Sequence, residues 1–424
     1  MKELLLKNAR IIDPARNIDE MGCIGIAEGK IVNPETLETP KVIDLGGKVL
    51  CPGFVDVHVH LRQPGNTTAE TIASGSMAAA AGGFTSIVAM PNTTPPADTA
   101  GAIEYLRRVA AEQAVVRVLP CGNMSKGGKG EEMAGIGSLK AAGVVALSDD
   151  GKCIQDHALM RHVVEYAKSF DLPILDHCEE VTLAAGGVMN EGKWSVLLGM
   201  NGIAGASEEL IIARNILFAR QINWKIHMQH VSTAESVEML RRARAEGIPV
   251  TGEATPHHLT LTDECIKKFD TNYKMNPPLR SESDRQALIR GVADGTITVI
   301  ATDHAPHTRT AKLVEFDHAP FGIIGLETAF PVCYTELVAS GIITLPQLIA
   351  KLTTGPADVL GIKNYSLAYG NAADLTVLDP DEEYVIDKET FKSKARNTPF
   401  DGRKVRGKVK MTIVGGRIVY SDAK

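Results

Sequence analysis

The stretch Pro52-Gly53-Phe54-Val55-Asp56-Val57-His58-Val59-His60 ends a punctuated opening and starts a new rhythm. Residues 54–59 have the length and apolar content of a buried strand. Seven more such runs follow, at 85–90, 115–119, 144–147, 173–175, 224–228, 248–251 and 297–301. The first five start about 30 residues apart, the size of a βα unit. Helix-like stretches such as 104–110 and 159–170 lie between them. Eight alternating strands and helices over roughly 250 residues predict a (β/α)8 TIM barrel rather than an open doubly wound sheet. No Gly-x-Gly-x-x-Gly follows the first run, which weakens a dinucleotide-binding alternative.

Outward from the barrel, both ends change texture. Before it, the brief runs 3–7 and 23–26 are separated by Pro14, Pro34, Pro40 and Gly46-Gly47. After Gly361, the runs 374–379 and 410–416 are strand-like again. The expectation is one small β-sandwich domain formed by the terminal segments 1–52 and 363–424, around a barrel at 53–362.

The composition fits this size. Of 424 residues, 44% are hydrophobic and 23% charged, the balance of an ordered soluble chain. The 45 Lys and Arg against 51 Asp and Glu leave a net charge of −6, which argues against nucleic acid or an anionic membrane as partner. No apolar run approaches the ~20 residues of a membrane span. Charge interrupts the N-terminus too early for a signal peptide. The seven Cys include no C-x-x-C pair, so neither a disulfide framework nor a zinc ribbon is expected. A reduced, cytoplasmic enzyme is the expectation.

Barrel enzymes carry their chemistry at the C-terminal ends of strands. Here those ends read His58-Val59-His60, Ser148-Asp149-Asp150, Asp176-His177, Gln229-His230 and Thr302-Asp303-His304. A single His or Asp at a strand end is more often a cap or a satisfied core group. Four His and two Asp at five strand ends, in a chain with only 12 His, point to metal. Imidazole with carboxylate suits zinc or a similar divalent ion. Six ligands exceed one tetrahedral ion, and two ions sharing a carboxylate and a hydroxide fit the count. Asp303, on the last strand, is placed to carry a proton. His157, His162, His227 and His318 are left as structural or surface residues. For His257-His258, support of the site and a purely structural role stay equally open. The glycine stretch 125–130 lacks a P-loop ending and is expected to be a flexible surface loop. Cys178 has no assigned base, so packing is its expected role.

His58-Val59-His60, His177, His230 and Ala301-Thr302-Asp303-His304 resemble the amidohydrolase superfamily. Within it, His58–Gly65, Met90-Pro91-Asn92-Thr93, Met275–Arg280, Asp303–His307 and Pro320–Thr328 resemble the bacterial class I dihydroorotases. The resemblance covers essentially the whole chain. It implies reversible cyclisation of N-carbamoyl-L-aspartate to dihydroorotate, in pyrimidine synthesis. It implies that His58 and His60 hold a more buried ion, His177 and His230 a second, and that Asp303 is both ligand and proton shuttle. Arg62, Asn92 and His307 would clamp the substrate carboxylate, and Asn276 would touch the ring, with Phe321 and Gly322 in the same substrate-binding set. Much of the superfamily bridges its ions with a carboxylated Lys on strand four. Here that position reads Ser148-Asp149-Asp150-Gly151, so Asp150 would bridge two zinc ions directly, with Asp149 pointing away. A second departure is the loop 307–315, less acidic than is common in the family and placed to act as a lid. A homodimer is expected, and an association with aspartate transcarbamoylase stays open. The competing readings are another cyclic amidase, such as allantoinase or dihydropyrimidinase, and a silent subunit scaffolding aspartate transcarbamoylase.

Overall fold

In the computed structural model, which describes residues 3–422, strands β1 (Leu4–Asp13), β2 (Ile18–Ala27), β3 (Lys30–Val32), β4 (Lys41–Asp44) and β5 (Val49–Pro52) come first. Eight parallel strands then run in sheet order: β6 (Phe54–Val59), β7 (Phe84–Ala89), β8 (Arg117–Gly122), β9 (Ala146–Leu147), β10 (Ile174–Asp176), then, beyond the short pair β11 (Met189–Asn190) and β12 (Gly202–Ile203), β13 (Ile226–Met228), β14 (Val250–Ala254) and β15 (Val299–Ile300). A parallel bridge between Val59 and His304 joins the last strand to the first. The His60 amide donates to the His304 carbonyl at 2.9 Å in the same seam. This is the expected barrel.

The barrel strands are buried on both faces, which is why they read as nearly continuous apolar runs. Val57, Val88, Cys121, Ala146, Leu175 and Val299, from six strands, share one cluster. The intervening helices turn one stripe inward. Helix His157–Ser169, capped by Asp156, buries Met160, Val163, Val164 and Ala167 at helical spacing.

The last strands, β16 (Leu375–Val385), β17 (Lys404–Val414) and β18 (Arg417–Ser421), return to the first five. β16 pairs antiparallel with β5, Leu375 opposite Pro52 and Leu378 opposite Val49. One continuous eight-stranded sheet results, over a core that includes Leu4, Leu6, Ile24, Ile26, Leu50 and Val377. Hydroxyls fasten it to the barrel: Thr376 Oγ1 donates to Gly83 O and Thr412 Oγ1 to Ala80 O, both at 2.6 Å. Gly83 is required there. Its φ is +89°, and a Cβ would lie 2.9 Å from both Phe54 and Thr376 side-chain atoms.

Two loops differ from expectation. The glycine stretch after β8 is anchored rather than loose, because Ser125 is buried against Asp149 and the Gly127 amide donates to Asp98 at 2.7 Å. The loop after β15 carries a short helix, Arg309–Lys312. The buried Lys312 ammonium there donates to the carbonyls of Thr271, Lys274 and Pro320 at 3.0, 3.3 and 2.7 Å.

Candidate metal centre and active site

The C-terminal ends of β6, β9, β10, β13 and β15 bring His58, His60, Asp150, His177, His230 and Asp303 into one buried cluster. Asp150 is its middle. Its Oδ1 lies 3.1 Å from His58 Nε2, and its Oδ2 lies 3.3 Å from His60 Nε2. His177 Nδ1 and His230 Nε2 stand 3.8 and 4.0 Å from the same Oδ1. Two triads that could each hold a metal ion therefore share this one carboxylate. Asp303 Oδ1 closes the first triad, 3.1 Å from His60 Nε2 and 3.5 Å from His58 Nε2.

The backbone is bent to bring these groups in. β6 loses regular register between Asp56 and Val59, just where its two imidazoles leave the strand. Arg62, His230 and Asp303 hold φ of +56°, +32° and +47°, a left-handed region that non-glycine residues occupy at a cost.

The donor set fits metal. Asn92 Oδ1 accepts from His60 Nδ1 at 2.9 Å, and Glu253 Oε1 accepts from His58 Nδ1 at 2.7 Å. Both rings thus turn Nε2, the nitrogen a metal ion would take, toward Asp150. His177 Nδ1 faces His230 Nε2 at 2.8 Å, a contact that repels unless a proton or a cation lies with it. The outer nitrogens, His177 Nε2 and His230 Nδ1, are buried and find no hydrogen-bond partner among the described residues. Burial alone would raise the Asp150 carboxyl, but His58, His60 and His177 hold it well below its ordinary value. Burial would raise Asp303 too, and His58 with His60 brings it down. Burial and the charges of His177 and His58 push His230 down to about 3.

A family model described as dihydro-orotase-like matches residues 47–236, and one described as the amidohydrolase family matches residues 292–420. A dihydroorotase from Caldanaerobacter subterraneus subsp. tengcongensis is 49% identical over 99% of this chain and 98% of its own length. The chain belongs to the dihydroorotase family. A second dihydroorotase, from Pelotomaculum thermopropionicum, is 48% identical over 99% of both chains. Among solved structures, the L-hydantoinase (dihydropyrimidinase) from Arthrobacter aurescens superposes with a TM-score of 0.89 at 25% identity, covering 100% of this chain and 97% of its own.

Around the centre, the other residues expected from dihydroorotase likeness take distinct positions. Arg62 Nε donates to Pro306 O at 3.2 Å; among the described residues its terminal guanidinium nitrogens meet no acceptor. Asn92 bonds within the cluster: besides accepting from His60, its Nδ2 donates to Asp150 Oδ2 at 3.2 Å. Asn276 Nδ2 donates to Glu179 Oε2 at 2.6 Å, and that oxygen lies 3.7 Å from His177 Nε2. His307 Nε2 donates to Phe321 O at 2.7 Å. Burial, then the charge of Arg62, pushes His307 down to about 3, so it is neutral and its ring steadies the Phe321–Gly322 turn. Gly322 has φ +114° and no room for a Cβ beside Ala305.

Asp149 points away, as expected from strand alternation. Its Oδ1 accepts from Asn123 Nδ2 and the amides of Met124 and Ser125 at 3.0, 2.9 and 3.2 Å. Cys178 is buried against the Asp176 carbonyl, and burial pushes its thiol up, in keeping with packing. His162 and His318 are on the surface. His258 is satisfied by Thr255 Oγ1 and Pro277 O at 2.8 and 3.0 Å; among the described residues the buried His257 Nε2 finds no hydrogen-bond partner. Sequence reasoning missed Glu253, Glu179 and Asn397. Glu253 lay just beyond the run 248–251, in Thr251-Gly252-Glu253-Ala254. A carboxylate two residues past an apolar run on a barrel strand was the available signal.

Proposed function

We propose that this chain is a dihydroorotase, closing N-carbamoyl-L-aspartate to dihydroorotate and reopening it, in the pyrimidine (UMP) pathway. The observation that carries the reading is the shared carboxylate: Asp150 lies between the His58–His60 and His177–His230 pairs. Those residues with Asp303 would hold two zinc ions, which when bound make water nucleophilic near neutral pH and polarise an amide carbonyl. The chain's own groups do the rest. Arg62 offers its free guanidinium end to the substrate carboxylate, a charge-assisted contact that orients the ring. Allantoin and dihydrouracil lack that carboxylate and leave the contact unused. Asp303, held ionised, accepts the proton released on the water side and returns it to the ring nitrogen as the C–N bond breaks. Asn92 and Glu253 fix the tautomers of His60 and His58. His307 holds the Phe321–Gly322 turn beside Arg62.

The same proposal divides the chain at 1–52, 53–362 and 363–424, supported by a sheet that stops at Pro52 and resumes at Leu375. It includes a homodimer, supported by exposed Leu210 and Leu217 on helix Gly205–Ile222. An association with aspartate transcarbamoylase is tested by co-elution. No helix among the described residues is long and apolar enough to cross a membrane. Elemental analysis of zinc-replete protein should find about two ions per chain, the number one shared carboxylate can bridge. The same sample should turn over dihydroorotate and leave allantoin and dihydrouracil nearly untouched. Metal-free protein that still opens dihydroorotate would refute the reading, and preference for dihydrouracil would favour a hydantoinase-like activity.

A further inference from the structure

Glu253 sits near the end of β14, wholly buried, and, outside the cluster itself, is a carboxylate that reaches both halves of the centre. Its Oε1 accepts from His58 Nδ1 at 2.7 Å and from the His230 backbone amide at 3.1 Å. The first bond sets the tautomer of a ligand in one triad. The second holds the backbone of a ligand in the other, at the residue whose φ of +32° is strained. Its Oε2 is fixed in turn by His227 Nε2 at 2.9 Å, and His227 Nδ1 meets Thr251 Oγ1 at 2.8 Å. The carboxylate therefore cannot rotate to serve one half without breaking a bond to the other or to His227.

We propose that Glu253, oriented by His227, is a positioning residue that couples the two halves of the metal centre, so that loss of its charge weakens both ions together. The proposal rests on the metal-centre reading above. A carboxylate behind a ligating imidazole fixes ring orientation and raises ligand basicity, and its loss commonly lowers metal affinity. What is particular here is reach. Asn92 stands behind His60 alone on the imidazole side, and Glu179 stands near His177 alone. Among the described residues, only Glu253 bonds to the side chain of one triad's histidine and the backbone of the other's.

The test is a chelator-competition titration of metal-free protein with zinc, for the wild type, Glu253→Gln, Glu253→Asp and His227→Gln, with thermal unfolding of each metal-free sample alongside. Gln keeps the length and an accepting oxygen but removes the charge. We expect Glu253→Gln to fold and to bind both ions roughly 10- to 100-fold more weakly. Glu253→Asp keeps the charge on a shorter arm and should recover part of the loss. His227→Gln leaves the carboxylate in place but frees its far oxygen, and should weaken both ions by a smaller factor. Zinc affinity of Glu253→Gln within twofold of wild type overturns the inference. Weakening confined to one ion overturns the coupling. Should Glu253→Gln fail to fold, His227→Gln decides: unchanged zinc affinity there overturns the proposal. Failure of the wild type to take up zinc would instead overturn the metal-centre reading itself.

Discussion

The roles proposed for Asp303 and Arg62 are separable at the level of single atoms. Asp303 Oδ1 lies between the imidazoles of His58 and His60, on the segment that follows β15. Asn is nearly isosteric and can still offer an oxygen, but it cannot carry a proton at neutral pH. Asp303→Asn should fold, keep much of its metal, and lose roughly 10²–10⁴ in turnover, the usual share of general acid–base catalysis. Turnover and metal content are measured on one sample. If both fall together and added zinc restores both, Asp303 serves only as a ligand. Arg62→Met should leave metal content unchanged and abolish most activity on dihydroorotate, since a buried charge-assisted contact contributes about 2–5 kcal/mol. Normal kinetics in that variant would remove Arg62 from the substrate site. At this scale the sequence was legible wherever a residue type announced its chemistry. The six clustered His and Asp side chains stand at strand ends that the apolar runs had marked. Glu253 left a local signal in its place just past an apolar run, but the link from His227 to it was not legible, because it lies in a contact across neighbouring strands.

Strand four and the loop after strand eight show how elements set these atoms. β9 is only Ala146-Leu147, so beyond one backbone bond, from the Ser148 amide to Gly122 O at 2.9 Å, the following Ser148-Asp149-Asp150 is held by its side chains. Asp149 collects donors from the segment after β8, while Asp150 faces the imidazoles. Asp149→Ala leaves several buried donors without an acceptor and should cost about 3 kcal/mol or more of stability, read by urea unfolding. Folded Asp149→Ala should still bind metal, whereas Asp150→Ala should lose it; the reverse pattern would show that the two roles are exchanged. Lys312 gives the other loop a pH signature. Burial, then the charge of Lys274, pushes its ammonium from the ordinary range down to about 7. Below pH 7 both folded and unfolded chains keep the proton, so the native state bears the full cost of a buried charge. Above it the native state sheds its proton first and binds fewer than the unfolded chain, so stability rises with pH until the unfolded Lys also titrates. The stability of wild type relative to Lys312→Met should therefore be flat below pH 7 and climb between 7 and about 10. A difference independent of pH would mean that Lys312 stays charged in its carbonyl cage. The strands themselves were legible to within a few residues. Observed strands such as β8 and β14 run further toward their C-terminal ends than the apolar runs at 115–119 and 248–251. Pro120 and Gly122 end the apolar run in β8, and Gly252 with the buried Glu253 ends it in β14.

Over the whole molecule, the C-terminal segment does more than complete the sheet of the opening residues. Between β16 and β17 the chain crosses the barrel mouth, and Ser393 and Asn397 are buried there. Ser393 bonds to Glu70, which also meets His304 beside Asp303. Asn397 is the tighter clasp. Its Nδ2 donates to Ala305 O and Gly322 O at 3.0 and 3.1 Å, and its Oδ1 accepts from the His307 amide at 3.1 Å. Its own carbonyl accepts from the Ile324 amide at 3.0 Å. One side chain from the far end of the chain thus fixes the two loops that carry His307, Phe321 and Gly322. No short motif could reveal this, because 90 residues separate Asn397 from His307. Asn397→Ala removes three side-chain bonds and leaves buried groups unpaired, at about 1–3 kcal/mol for each unpaired group. None of these bonds reaches a metal ligand directly, so zinc content should match wild type. The loosened turn should then bind dihydroorotate less well, raising KM by roughly 10-fold for each ~1.4 kcal/mol of lost ordering, with a smaller change in kcat. The check is steady-state kinetics, zinc content and melting temperature on one preparation. A lower melting temperature with unchanged KM would confine Asn397 to stability. A loss of zinc would show that the clasp reaches the metal centre itself.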